Sequence, residues 1–240
     1  MRGHKATKVH LVLPEAALTQ VFDECDRFDP NETGGRIVGR YAIDPAGVLA
    51  IRVTGLIEAG PRAVRSPVSL FQDGDYQERV FRILERFDPD VEHLGNWHTH
   101  HVNGLRCLSF GDLATYYRTV NHPRHNPPFF YALLVTEKRE GKQPLRRYNV
   151  QHYLFRRGDR RFCVIPKRRV QLVREPLVWP PPSAGLPERQ RSNAGSCPAP
   201  RPEAQGSQSG ATDISLSADV DPEPAPDGDQ STGKAGTTAG

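Results

Sequence analysis

Two short stretches of this sequence carry residue types suited to metal chemistry, His98-Thr99-His100 and Ser109-Phe110-Gly111-Asp112. Val91 to Trp97, just before the histidines, reads as a buried strand. Alternate side chains of a strand share a face, so His98 and His100 point one way while Thr99 and His101 point the other. On the first turn of a helix, residues three apart share a face, which pairs Ser109 with Asp112. If the loop through Gly104 folds back, two imidazoles and a carboxylate converge with one coordination position to spare. Three N/O ligands plus water describe a catalytic zinc site, whereas a structural one is closed by four protein ligands.

Each half also has a plainer explanation. In a chain with nine histidines, an i, i+2 pair arises by chance. Ser-x-x-Asp is equally a helix start, a serine N-cap with an acid three residues on. The two together, joined by a short glycine-bearing loop, are harder to attribute to accident. Metal-assisted hydrolysis further needs a base for the proton of the attacking water. Glu32, in Asn31-Glu32-Thr33-Gly34-Gly35, offers one; alone it reads equally as a solvated turn carboxylate.

Glu32 in a Glu-x-Gly-Gly turn before a strand, followed far downstream by His98-x-His100-x8-Ser109-x-x-Asp112, resembles the signature of the JAB/MPN (JAMM-type) zinc metallopeptidases, in their bacterial branch. The resemblance spans roughly residues 8–155, and four separated pieces occur in the family's order. It implies an α/β (α+β) architecture, a JAB/MPN-like (cytidine-deaminase-like) mixed β-sheet flanked by helices. It implies zinc held by His98, His100 and Asp112, with Glu32 as general base and then acid and Ser109 stabilising the oxyanion. It implies hydrolysis of the amide after the C-terminal glycine of a ubiquitin-like modifier, either deconjugation or precursor processing. The partners would be that modifier or its conjugates, and the associated conjugation enzymes, with the modifier tail laid along a strand edge. The family also admits a peptidase acting on a sulfur-carrier protein, and the rival of another class is a non-catalytic scaffold or nucleic-acid-binding member, against which the full set of Glu32 and metal ligands argues. Two departures stand out: His101 lies where many members have proline, and eight residues rather than the commoner seven precede Ser109. His101 is an alternative to His100 as ligand, but the i, i+2 spacing favours His100.

The elements that must position these residues follow from periodicity. Pro14 to Phe28 reads as an amphipathic helix, with Leu18, Val21, Phe22, Cys25 and Phe28 at helical spacing. Asp29 to Gly35 reads as a turn, Arg36–Ile43 and Val48–Leu56 as strands, and Ala59–Pro67 as an irregular loop. Asp75 to Phe87 is a second helix, with Tyr76, Val80, Phe81, Leu84 and Phe87 on one side. A third helix runs from Ser109 to about Val120, then a polar turn over residues 121–128 whose His122 and His125 are candidate extra ligands but read more readily as surface residues. Phe129–Thr136 suits a central strand, and Leu145–Phe155 with Arg161–Ile165 form a hairpin around Gly158-Asp159.

Arg146, Arg147, Arg156, Arg157, Arg160, Arg161, Lys167, Arg168 and Arg169 make that hairpin strongly basic, with Tyr148, Tyr153, Phe155 and Phe162 interleaved. Such a pattern marks a nucleic-acid surface if the aromatics are exposed, and a solvated face if they pack inward. A third option is docking of an acidic protein. The part from residue 181 onward carries four Lys/Arg and eight Asp/Glu, leaving 28 basic and 20 acidic residues before it. Beyond Trp179-Pro-Pro-Pro182 no aromatic residue occurs. Ser, Gly, Ala and Pro dominate there, so residues 179–240 are expected to be a disordered tail behind a domain of residues 1–178. Cys25, Cys107, Cys163 and Cys197 are far apart with no CxxC, so neither a cysteine zinc site nor a dense disulfide framework is suggested and reduced thiols are the simpler reading. The apolar run Val9–Leu13 is too short for a signal peptide, and no stretch approaches a membrane span. A cytoplasmic protein with no membrane partner is the expectation.

Overall fold

The computed structural model describes residues 8–101, 104–137 and 148–177. All belong to the first of two units into which the chain divides, Met1–Asn193 and Ala194–Gly240. The expected tail, and Leu145 to Arg147 of the expected hairpin, lie outside the described residues.

The chain alternates strands and helices: β1 (Val9–Pro14), α1 (Glu15–Phe28), β2 (Gly34–Ile43), β3 (Leu49–Glu58), β4 (Val64–Ser66), β5 (Ser69–Phe71), α2 (Gly74–Phe87), β6 (Glu92–His100), α3 (Phe110–Asn121), β7 (Phe129–Glu137), β8 (Tyr148–Arg156), β9 (Cys163–Val164) and β10 (Val170–Val173). Eight strands form one mixed sheet in the order β10-β1-β3-β2-β6-β7-β8-β9. β6 and β7 at its centre run parallel, while β2 and β8 flank them antiparallel. The result is a mixed α+β domain with helices on both faces. Among the described residues no helix is long and apolar enough to cross a membrane.

One face of the sheet is covered by α1, whose Ala17, Val21 and Cys25, each four residues after the last, pack on Leu94, Trp97, Tyr131 and Leu133. The other face carries two helices. α2 lays Val80, Phe81 and Leu84 over Val38, Ile57 and Val91. α3 lays Tyr116 and Val120 over Phe130, Leu134 and Phe155. Because both faces are covered, β7 (Phe-Phe-Tyr-Ala-Leu-Leu-Val-Thr-Glu) is buried along all but its last residue, as the unbroken apolar run requires.

The pairing of β2 with β6 slips by one residue: Ile37 faces Gly95 but Val38 faces His93, leaving Leu94 as the extra residue of a bulge. The bulge changes the phase of β6. Leu94 and Trp97, three apart, both enter the α1-side core, while His93 stacks edge-on against Phe130 of the opposite face. Glycine is required here, since a Cβ on Gly95 would stand 1.7 Å from the Tyr131 carbonyl oxygen.

Several boundaries depart from the sequence reading. Gly34 and Gly35 are not turn residues; they open β2, because a Cβ on Gly35 would lie 2.2 Å from the Ile57 oxygen and only glycine lets the strands close. The stretch expected to be an irregular loop contains the hairpin β4–β5, built from strands too short to show alternation. β10, an edge strand parallel to β1, follows the basic run where no strand was expected. Phe87 is 55% exposed rather than on the buried side of α2, and His125, expected at the surface, is 7% exposed. The cause in His125 is local: its Nε2 lies 2.7 Å from the Phe129 carbonyl oxygen, which draws the ring inward.

Candidate metal centre

β6 delivers His98 and His100 to the face covered by α3, as the alternation requires. α3 delivers Asp112 through a capping box. The Ser109 hydroxyl accepts from the Asp112 N–H at 3.1 Å, and the Asp112 carboxylate accepts from the Ser109 N–H at 2.7 Å. The Ser109 hydroxyl also donates to Asp112 Oδ2 at 2.6 Å. Asp112 is therefore both the acid of the capping box and a candidate metal ligand, so the helix-start reading of Ser-x-x-Asp does not compete with the metal one.

The three groups converge. His98 Nε2 is 3.3 Å from Asp112 Oδ1, His100 Nε2 is 3.3 Å from Asp112 Oδ2, and the two Nε2 atoms are 3.2 Å apart. The ligand atoms of this His-His-Asp group all lie within 4.8 Å of one another, an arrangement able to hold a metal ion. Zinc bound at about 2.0–2.1 Å in a tetrahedron sets its ligands about 3.3 Å apart. The spacing seen here fits that requirement, and the donor set of two imidazoles and a carboxylate suits zinc. Burial of Asp112 works to raise its pKa. Hydrogen bonds from His100 and His98, and then from Ser109, outweigh that, and the carboxyl is held well below its usual range.

His98 carries a further contact, Tyr116 Oη at 2.9 Å from Nδ1. Burial, and then the negative charges of Asp112 and Glu32, push the Tyr116 hydroxyl well above its ordinary pKa. The Glu32 carboxylate is thus within electrostatic reach of the group that touches His98. Backbone pairing explains why. Gly34 faces His98 across the β2–β6 ladder, and the Thr99 N–H continues it to the Thr33 carbonyl at 2.9 Å. Thr33 N–H returns a bond to Thr99 Oγ1 at 2.9 Å. Alternation then carries Glu32 to the same face as Gly34 and His98. Glu32 is 6% exposed, not the solvated turn carboxylate of the alternative reading.

The β4–β5 hairpin clamps this segment. Glu32 N–H donates to the Ser66 carbonyl at 2.8 Å, Arg65 Nε reaches Thr33 Oγ1 at 3.4 Å, and the Arg65 guanidinium lies 3.9 Å over the Phe28 ring. His101 takes the opposite side from His100. Its Nδ1 is 3.6 Å from Asp29 and its ring packs edge-on to Tyr148, which removes it from the ligand set. A cleft of about 260 Å³ opens beside His100, lined also by Leu105, Arg106, Thr136 and Glu137.

All five expected residues, Glu32, His98, His100, Ser109 and Asp112, thus belong to one region of the fold. Tyr116 is a site residue the sequence reading does not mark; its one signal is its position four residues after Asp112, on the same helix face. Among the described aromatics of the basic hairpin, Tyr153 and Phe155 are buried in the core beneath α3 while Phe162 is 37% exposed, so only part of the expected stacking platform faces outward. Arg157 is committed to the fold, donating to the carbonyls of Val120, His125 and Pro127.

No family model and no curated protein matches this chain. Among solved structures the chain is similar to the solution structure of protein DSY2949 from Desulfitobacterium hafniense, at 16% identity and a TM-score of 0.46, over 69% of this chain and 94% of that one. A likeness of that degree carries no argument about fold or function.

Proposed function

We propose that the chain is a JAMM-type zinc isopeptidase, of JAB/MPN-like fold, that hydrolyses the amide after the C-terminal glycine of a ubiquitin-like modifier. The observation that carries this reading is the convergence of His98, His100 and Asp112 at zinc-ligand spacing on a sheet face that also receives Glu32. His98, His100 and Asp112 would hold the metal. Zinc in such a setting acidifies water and polarises a carbonyl.

The chain's own groups supply the rest. Glu32 takes a proton from the attacking water and returns it to the leaving amine, which its buried but charge-bearing position suits. Ser109 is fixed at the start of α3, where its hydroxyl is at hydrogen-bond distance from Asp112; turned outward, that hydroxyl donates to the developing oxyanion. The modifier and its conjugates are the proposed partners, met in the cytoplasm. Inward packing of Tyr153 and Phe155 counts against a nucleic-acid surface, for which Phe162 is left as the exposed aromatic.

Two measurements on the full chain test the reading. Zinc content is expected near one per chain in the wild type and lost in folded His100→Ala and Asp112→Ala. A linear ubiquitin-like fusion is expected to be cleaved after the modifier's terminal glycine by the wild type and not by Glu32→Ala. A folded wild type that takes up no zinc when supplied with it overturns the proposal.

A further inference from the structure

His98 has support on its far side that His100 lacks. The Tyr116 hydroxyl lies 2.9 Å from His98 Nδ1, whereas His100 Nδ1 has no hydrogen-bond partner among the described residues. Tyr116 is 5% exposed, stacked on Phe130 at 4.9 Å and edge-on to Phe155 at 5.4 Å, so the ring is held in place. It follows Asp112 by four residues, so one helix face supplies both a ligand and the support of another.

Resting on the reading of this site as a metal centre, we infer that Tyr116 is the positioning residue of His98: its hydroxyl reverses the sense of the hydrogen bond when a divalent cation enters and so keeps Nε2 available as ligand. The proton balance is closed. Before the cation enters, His98 Nε2–H donates to Asp112 Oδ1 at 3.3 Å, and Nδ1 accepts from the Tyr116 hydroxyl. Binding requires the Nε2 lone pair, so the one imidazole proton sits on Nδ1 instead and is donated to the Tyr116 oxygen. The phenolic hydrogen turns to its other in-plane position. His98 is neutral before and after: Nε2 gives its proton to water as Nδ1 takes one from water, so the net proton count of the imidazole is unchanged. Only a group that both donates and accepts serves both states, and a hydroxyl does. Phenylalanine would leave Nδ1–H buried without an acceptor; loss of such a supporting partner weakens metal binding about 10–100-fold.

The fold contains its own control. On the opposite face, Tyr131 Oη lies 2.7 Å from His152 Nδ1, an equally buried tyrosine–histidine pair with no part in the site. Zinc affinity would be measured on the full chain by competition with a chromophoric chelator, for wild type, Tyr116→Phe and Tyr131→Phe. Tyr116→Phe is expected to bind zinc about 10–100-fold more weakly with an unchanged circular dichroism spectrum, and Tyr131→Phe to bind as the wild type does. Side-chain ¹⁵N–¹H spectra of the wild type should show the His98 proton moving from Nε2 to Nδ1 on zinc addition, a readout that stands even if Tyr116→Phe fails to fold. Equal affinity in Tyr116→Phe and wild type, or equal losses in both variants, would overturn the inference while leaving the metal centre intact; a His98 proton that stays on Nε2 would overturn both the inference and the place of His98 in the ligand set. A folded wild type that binds no zinc removes the centre itself, and with it this role.

Discussion

Tyr116 with His98, and Tyr131 with His152, are the same chemical pair on opposite faces of one sheet. Their surroundings differ. The first sits beside Asp112 and within the field of Glu32. The second is stacked in the core under α1, ring planes 12° apart, and the charge acting on it is the cation of Lys167. A buried imidazole next to carboxylates is prepared to meet a cation; one without them can only stay neutral. Residue type alone therefore does not distinguish a ligand from a core histidine. The acid across the gap does.

That contrast separates function from stability, and it can be attacked from either side. The largest expected effect is on the carboxylate face: Glu32→Ala should lower cleavage of a modifier fusion by about 10²–10⁴-fold while zinc content stays at the wild-type level. Loss of zinc together with activity would make Glu32 part of the metal-holding structure instead.

On the core face the expected effect is in pH dependence. Burial, and then the charge of Lys167, push the His152 pKa down from 6.5 to about 4. The unfolded chain therefore binds a proton that the folded chain refuses, so the contribution is complete above pH 6.5 and is lost as pH falls towards 4. Over that window the loss is roughly 3 kcal/mol. Urea unfolding at pH 7 and pH 4, in wild type and His152→Gln, measures it; parallel pH profiles in the two would show that His152 is not the group responsible.

Tyr116→Phe and Tyr131→Phe come next, the first read in zinc affinity and the second in stability, at a cost of about 1 kcal/mol for a lost buried hydrogen bond. The smallest effect on stability is expected at Ser109. Ser109→Ala removes the cap of α3 and should cost about 1 kcal/mol in thermal or urea unfolding. If Ser109 also donates to the oxyanion, turnover falls by about 10²–10³-fold without a matching change in zinc content; turnover that tracks the stability loss alone would assign it to the cap only.

The site was legible because each of its parts is written locally. Alternation in β6 aligned two histidines, and the Ser-x-x-Asp cap placed a carboxylate within the first turn of α3. Glu32 was legible only together with them, since its burial depends on Thr33 and Thr99, 66 residues apart, locking β2 against β6. What the sequence hid is non-local or too short to be periodic. The strands of the β4–β5 hairpin have three residues each, and β10 has four. Tyr116 went unmarked, because nothing in α3 reveals which strand atom its hydroxyl will meet. The zipped register of β2 on β3, with Gly35 against Ile57, likewise depends on a partner strand that the glycine pair alone does not name.

The extra residue at Leu94 has a bearing on how this chain tolerates change in length. A strand is a two-beat rhythm, and the bulge is a single added beat that lets Leu94 and Trp97 sound together on one side while His98 and His100 fall on the other. One more residue inserted between Glu92 and Trp97, or one removed, would turn both histidines towards α1 or else pull Trp97 from the core. Two residues would restore the rhythm. Variation in this segment is therefore expected in pairs, and a comparison of chains that counts positions without counting beats would place the histidines on the wrong side of the sheet.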